Sequence, residues 1–151
     1  MTAMANAAQS TDRIEKRFEV RASRARVWRA IADVKQFAVW FGASLDGVFA
    51  EGATVQGQHS NIRFEMQVQK IQPERYFAYR WHPYPKDPKV DYSAEPTTLV
   101  EFMLEETPEG TAVTIVESGF DRVPLARRAE AFRMNEAGWR NQAQNLANYV
   151  A

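Results

Sequence analysis

The longest regular pattern in the chain lies at its end. Leu125, Ala129, Phe132, Glu136, Trp139, Ala143, Leu146 and Val150 follow one another at steps of four and three. That spacing places them on one face of an α-helix. All but Glu136 are apolar. From Pro124 to Tyr149 the predicted helix is roughly 39 Å long at about 1.5 Å per residue. Pro124 suits its first turn, where a fixed φ is an advantage and the missing N–H is not needed.

Upstream the period changes to two. Ile14, Lys16, Phe18 and Val20 alternate with Glu15, Arg17 and Glu19, and Ile62, Phe64, Met66 and Val68 alternate with Arg63, Glu65, Gln67 and Gln69. Tyr76 to Trp81 puts Phe77, Tyr79 and Trp81 on one face. Thr98, Val100, Phe102 and Leu104 alternate with Leu99, Glu101, Met103 and Glu105, and Val113, Ile115 and Glu117 with Ala112, Thr114 and Val116. Each stretch predicts a strand with one face toward the core.

Two short helices follow the first strand. Ser23 can cap one that turns Val27, Ala30, Ile31 and Val34 inward, with Arg24, Arg26 and Arg29 on or beside its solvated face. The second covers Val34 to Trp40 and stops at Phe41-Gly42. Turn chemistry at Asp46-Gly47 and Glu51-Gly52 predicts short strands at Gly47–Ala50 and Thr54–Ser60. His82 to Pro96 contains four of the seven prolines. Proline starves a central strand of donors, so this stretch is a loop, of a length that serves as a lid or else as a mobile linker.

Strands in hairpin succession make an antiparallel sheet, and helices gathered on one face of it make an α+β fold. Strands of about seven residues reach only roughly 23 Å. The terminal helix is longer, so about six or seven strands must curl around it. A cavity is expected where helix and sheet part.

Composition narrows the function. At 151 residues, 45% apolar and 25% charged, the chain reads as one globular domain. Lys plus Arg equals Asp plus Glu at 19 each, so no net charge favours nucleic acid or anionic lipid. Without cysteine there is no disulfide, thiol nucleophile or thiolate metal site. Residues 1–12 are small and polar, which predicts a disordered tail before a domain spanning 13–151. They lack the basic start and apolar run of a secretory signal. No stretch approaches the roughly 20 apolar residues of a membrane helix. The expectation is a cytoplasmic protein with no membrane insertion.

Several short words add to this order of elements: Val27-Trp28-Arg29-Ala30-Ile31, Trp40-Phe41-Gly42, Gly110-Thr111, Glu117-Ser118-Gly119-Phe120 and Gly138-Trp139. Together they resemble the START-like superfamily, also called SRPBCC or helix-grip, in its branch similar to the activator of heat-shock protein 90 ATPase. The resemblance runs from about Ile14 to Val150. It implies a deep, largely apolar cavity between the long helix and the sheet. Superfamily members bind lipids, hormones or polyketides, and some are cyclases or dehydratases. There is no universal catalytic set to carry over. A chaperone partner is also implied, although the eukaryotic activator has a separate amino-terminal chaperone-binding domain.

Candidate chemistry is sparse. Glu136 either projects from the apolar stripe toward the cavity, where its pKa would rise and it could act as acid or base, or lies at the stripe's edge and pairs with Arg140. Glu117 shares the inward phase of its strand and can anchor a ligand's amine or hydroxyl, handle a proton, or satisfy backbone donors at the strand–helix junction. His59 shares phase with Val55 and Gly57, and His82 begins the proline-rich loop. No metal-binding HExxH, calcium loop, GxSxG, phosphate loop or dinucleotide fingerprint is present, so neither metal nor cofactor is expected. Trp40, Phe64, Met66, Tyr79, Trp81, Phe102, Phe132 and Trp139 supply large inward surfaces, mostly core, with some lining a pocket. Glu117, Asn135, Glu136 and His59 are its candidate polar groups. The leading expectation is binding of a small, largely apolar ligand. The alternatives are a cofactor-free cyclase, dehydratase or hydrolase using Glu136 or Glu117, and a chaperone-linked interaction module. A homodimer is compatible with all three.

Overall fold

The computed structural model describes residues 12–151. The tail expected for residues 1–12 lies, apart from Asp12, outside them. The elements are β1 (Arg13–Val20), α1 (Arg24–Ala32), α2 (Val34–Phe41), β2 (Ser44–Asp46), β3 (Thr54–His59), β4 (Ile62–Gln72), β5 (Tyr76–Trp81), β6 (Thr98–Thr107), β7 (Gly110–Ser118), a 3-10 turn (Phe120–Arg122) and α3 (Leu125–Val150). The seven strands form one antiparallel sheet in the order β1-β7-β6-β5-β4-β3-β2. The α+β arrangement predicted from periodicity is what forms, and it is the helix-grip fold that the family resemblance implied.

Local chemistry explains the element ends. Ser23 Oγ accepts from Arg26 N at 3.1 Å, and Asp33 Oδ1 accepts from Lys35 N at 2.9 Å, so both short helices begin on side-chain caps. Gly42 closes α2 at φ 78°, a left-handed conformation that side chains disfavour. Trp40 Nε1 donates to Ala30 O at 2.8 Å and ties α2 to α1.

The core is rich in aromatic rings. Phe37 stands at its centre, with ring centroids 4.6 Å from Trp40, 5.4 Å from Phe49 and 6.1 Å from Phe102. Phe37, Phe77 and Phe102 are fully buried, each contributing about 2–3 kcal/mol by leaving water. A Cβ on Gly57 of β3 would lie 2.4 Å from the Phe64 ring on the neighbouring strand, so a larger residue there would have to displace that ring.

Two expectations are corrected. The strand expected at Gly47–Ala50 is instead Ser44–Asp46. Gly47 (φ 133°) and Gly52 (φ 83°) both take positive φ and bound a loop that sends Phe49 into the core. The stripe on α3 is also rotated. Leu125 is 79% exposed and Ala129 is exposed, while Ala131, Trp139, Leu146 and Val150 are buried. At 3.6 residues per turn, the inward position one turn before Trp139 falls on Asn135 rather than Glu136.

The sheet opens at one place. β4 pairs with β5 only from Gln67↔Arg80 onward, so Ile62–Met66 has no β5 partner on that side. The chain leaves β5 at Trp81 and runs into the proline-rich loop there.

Candidate functional site

Three strand ends and one helix converge on Glu117. β7 sits between β1 and β6, with Glu117 opposite Ile14 and Val100. Its inward phase leaves it fully buried. Trp81 ends β5 and pairs with Thr98, the first residue of β6. Asn135 and Trp139 stand one turn apart on α3. All four side chains donate to the carboxylate. Trp139 Nε1 (2.7 Å) and Asn135 Nδ2 (3.0 Å) reach Oε1; Trp81 Nε1 (2.8 Å) and Thr98 Oγ1 (2.5 Å) reach Oε2.

A carboxylate has about four lone-pair sites, and these four donors fill them. A proton on either oxygen would displace one. Burial pushes the Glu117 pKa up, and the hydrogen bonds from Thr98, Trp81, Trp139 and Asn135 oppose that rise. None of the donors is a cation. Nearby, the buried Tyr79 hydroxyl has no hydrogen-bond partner among the described residues, and burial, then the Glu117 charge, raise its pKa well above the usual phenol value.

Outside this chamber lies a cleft of about 150 Å³ where α3 parts from the strand ends. Trp81, Asn135 and Trp139 form the partition, facing Glu117 on one side and the cleft on the other. Phe41 from α2, His59 from the end of β3, and Ile62 and Phe64 from β4 complete one wall. His82, Tyr84 and Pro85 from the loop form the other, and Gly138 and Gln142 the helical side. Gln142 Nε2 donates to Phe41 O at 2.8 Å. Among the described residues, nothing lies within 4 Å of where a Cβ on Gly138 would project. A glycine inside a helix costs about 1 kcal/mol relative to alanine, and here it leaves the cleft open.

The loop over the cleft is fastened to α3. Arg127 Nη1 donates to the carbonyls of Pro83 (2.7 Å) and Tyr84 (3.3 Å), and Nε donates to Glu95 Oε1 at 2.9 Å. Arg127 Nη2 lies 2.8 Å from the same Glu95 oxygen but is not aligned for a hydrogen bond, so that contact is Coulombic. The guanidinium lies 4.7 Å over the Tyr92 ring. Lys86 reaches Glu130 at 2.7 Å, and His82 Nε2 lies 3.0 Å from Glu95 O.

Of the residues singled out from sequence, His59, Phe64, Trp81, Asn135 and Trp139 meet at the cleft, with Glu117 directly behind them. Trp40, Met66, Tyr79 and Phe102 instead belong to the closed core. Phe132 packs edge-on against Phe120 at 5.1 Å, away from the cleft. The cavity-facing reading of Glu136 is corrected. It lies over β1, 2.5 Å from Lys16 Nζ and 2.6 Å from Arg140 Nη2, and these cations hold its pKa below the usual carboxylate range. Phe41, Ile62, Tyr84, Pro85, Gly138 and Gln142 were missed as lining residues. The loop composition pointed to Tyr84 and Pro85, and the mid-helix glycine was the available signal for Gly138. Among the described residues no group of three or more His, Asp or Glu side chains is placed to hold a metal ion, and no helix is long and apolar enough to cross a membrane.

Known structures share this architecture. Protein MLL2253 from Mesorhizobium loti is 19% identical with a TM-score of 0.75, covering 91% of this chain and 96% of that one. Protein BH1534 from Bacillus halodurans is 23% identical, TM-score 0.71, covering 92% and 96%. The Aha1 dimer from Colwellia psychrerythraea is 17% identical, TM-score 0.72, covering 91% and 95%. At such identities the likeness shows the fold alone. No curated protein matches the chain. The family model described as Activator of Hsp90 ATPase homolog 1-like protein matches residues 21–151, which includes both short helices, six of the seven strands and all of α3. This chain therefore belongs to the Activator of Hsp90 ATPase homolog 1-like family, within the START-like superfamily.

Proposed function

We propose that this protein binds a small, largely apolar molecule in the cleft between α3 and the ends of β3, β4 and β5. The observation that carries this reading is Gly138. A helix position that would be more stable as alanine is left without a side chain, and the space it leaves is walled by Phe41, Phe64, Trp81 and Trp139. Close packing elsewhere makes an unfilled aromatic hollow costly. A cavity of about 150 Å³ takes a molecule of benzene size, whereas drug-sized ligands use roughly 300 Å³ or more. The ligand, or the part of it that enters, is a single ring or a short branched group rather than a lipid chain.

The test is Gly138→Leu. Its side chain enters open space, so the variant is expected to fold with an unchanged circular dichroism spectrum. Titration with toluene, phenol and cyclohexanol, followed by the indole N–H resonances of Trp81 and Trp139, should show saturable shifts in the parent protein and none in the variant. Equal shifts in both would place any binding elsewhere and defeat the proposal.

A further inference from the structure

Resting on that reading, the inference concerns the charge of the ligand. The cleft wall consists mainly of rings, and among the described residues no lysine, arginine, aspartate or glutamate lines it. Trp81 and Trp139 have centroids 5.9 Å apart and planes inclined by 33°. Phe64 stands 5.5 Å from Trp81, and Phe41 stands 6.1 Å from Trp139. Both indoles turn their N–H edges away from the cleft, onto Glu117.

Two consequences follow. The buried carboxylate is satisfied by hydrogen bonds from neutral groups alone, so its charge has no counter-ion among its bonded partners. In a low-dielectric interior that field carries through the partition into the cleft. An indole donating to an anion is also polarised toward its ring, which strengthens the negative face that attracts cations. We propose that the cleft is an aromatic cage for a small organic cation, an alkylammonium group seated against Trp81, Trp139, Phe64 and Phe41 with the Glu117 carboxylate behind the indoles.

Three probes of one shape separate this from apolar binding: choline, its neutral isostere 3,3-dimethylbutan-1-ol, and the anion 3,3-dimethylbutanoate. Binding is measured by calorimetry and tryptophan emission at pH 8. Choline is expected to bind roughly tenfold more tightly than the alcohol, with the anion weakest. Phe64→Leu keeps an apolar wall but removes a π face, and should narrow the choline preference without abolishing alcohol binding. If the alcohol or the anion matched choline, or if Phe64→Leu left the preference unchanged, the cage would be refuted while the apolar cleft stood. If none of the three bound, the cage would fail, and the toluene titration of Gly138→Leu would separately decide the cleft.

Discussion

Glu117 on β7 and Glu136 on α3, where that helix crosses β1, illustrate two ways to hold a carboxylate. Glu117 is sealed among two indoles, a hydroxyl and an amide, all neutral. Glu136 lies at the rim, partly exposed and bracketed by Lys16 and Arg140. The two pKa values move in opposite directions, up with burial and down with cations. Energetically the difference is larger than the count of partners suggests. At the rim, water can replace any lost partner. In the chamber nothing can, so each donor to Glu117 depends on the carboxylate as much as the carboxylate depends on it.

The contrast can be broken most directly by removing each acid. Glu117→Leu orphans three buried donors, on Trp81, Thr98 and Trp139, at about 1–3 kcal/mol each, and frees the half-buried Asn135 amide. The expected loss exceeds about 3 kcal/mol, which at about 2–4 °C per kcal/mol lowers Tm by at least roughly 6–12 °C. A variant within a few degrees of the parent would show the chamber to be replaceable. Single-donor variants sharpen the point. Trp139→Phe keeps a ring but leaves one carboxylate site unfilled, and should cost about 1.5–3 kcal/mol in denaturant unfolding. Arg140→Ala, also removing one partner of an acid, should stay within about 0.5 kcal/mol.

The smallest effect is the most specific. The native pKa of Glu136 is depressed, so its contribution is complete above the ordinary carboxylate range and disappears as pH falls through the native value. Glu136→Gln should therefore lose less than about 1 kcal/mol at pH 7, and the gap to the parent should close on acidification below about pH 4. Glu117 has the opposite sign. With its native value raised, any stability from its titration is present below the unfolded carboxylate pKa and lost as pH rises through the native one. A gap for Glu136→Gln that persisted in acid would mean packing, not charge, holds the rim.

The inward phase of Glu117 was legible because a strand has a strict two-residue period, and Val113 and Ile115 mark the buried side. The partners that make its burial tolerable were not. Trp81, Thr98 and Asn135 lie between 18 and 36 positions away along the chain, and hydrophobicity patterns carry no sign of which indole N–H meets which acid. Glu136 was harder still. Neighbouring helix positions differ by 100° of rotation, so both Asn135 and Glu136 flank the line through Trp139 and Leu146.

The sequence by itself determined the antiparallel sheet, the two capped helices, the long final helix and the proline-rich loop. Each depends on local chemistry: a period of two or 3.6, a serine or aspartate cap, a glycine stop, prolines that cannot enter a sheet. Tertiary structure alone decided how α3 is turned about its own axis, and with it which of two adjacent polar residues faces inward. It also decided that β4 outruns β5, that Gly138 faces open space, and that Trp40, Met66, Tyr79 and Phe102 fill the core while Phe41 and Tyr84 line the cleft. Those outcomes depend on close packing among residues distant in the chain, where every ring competes for the same volume.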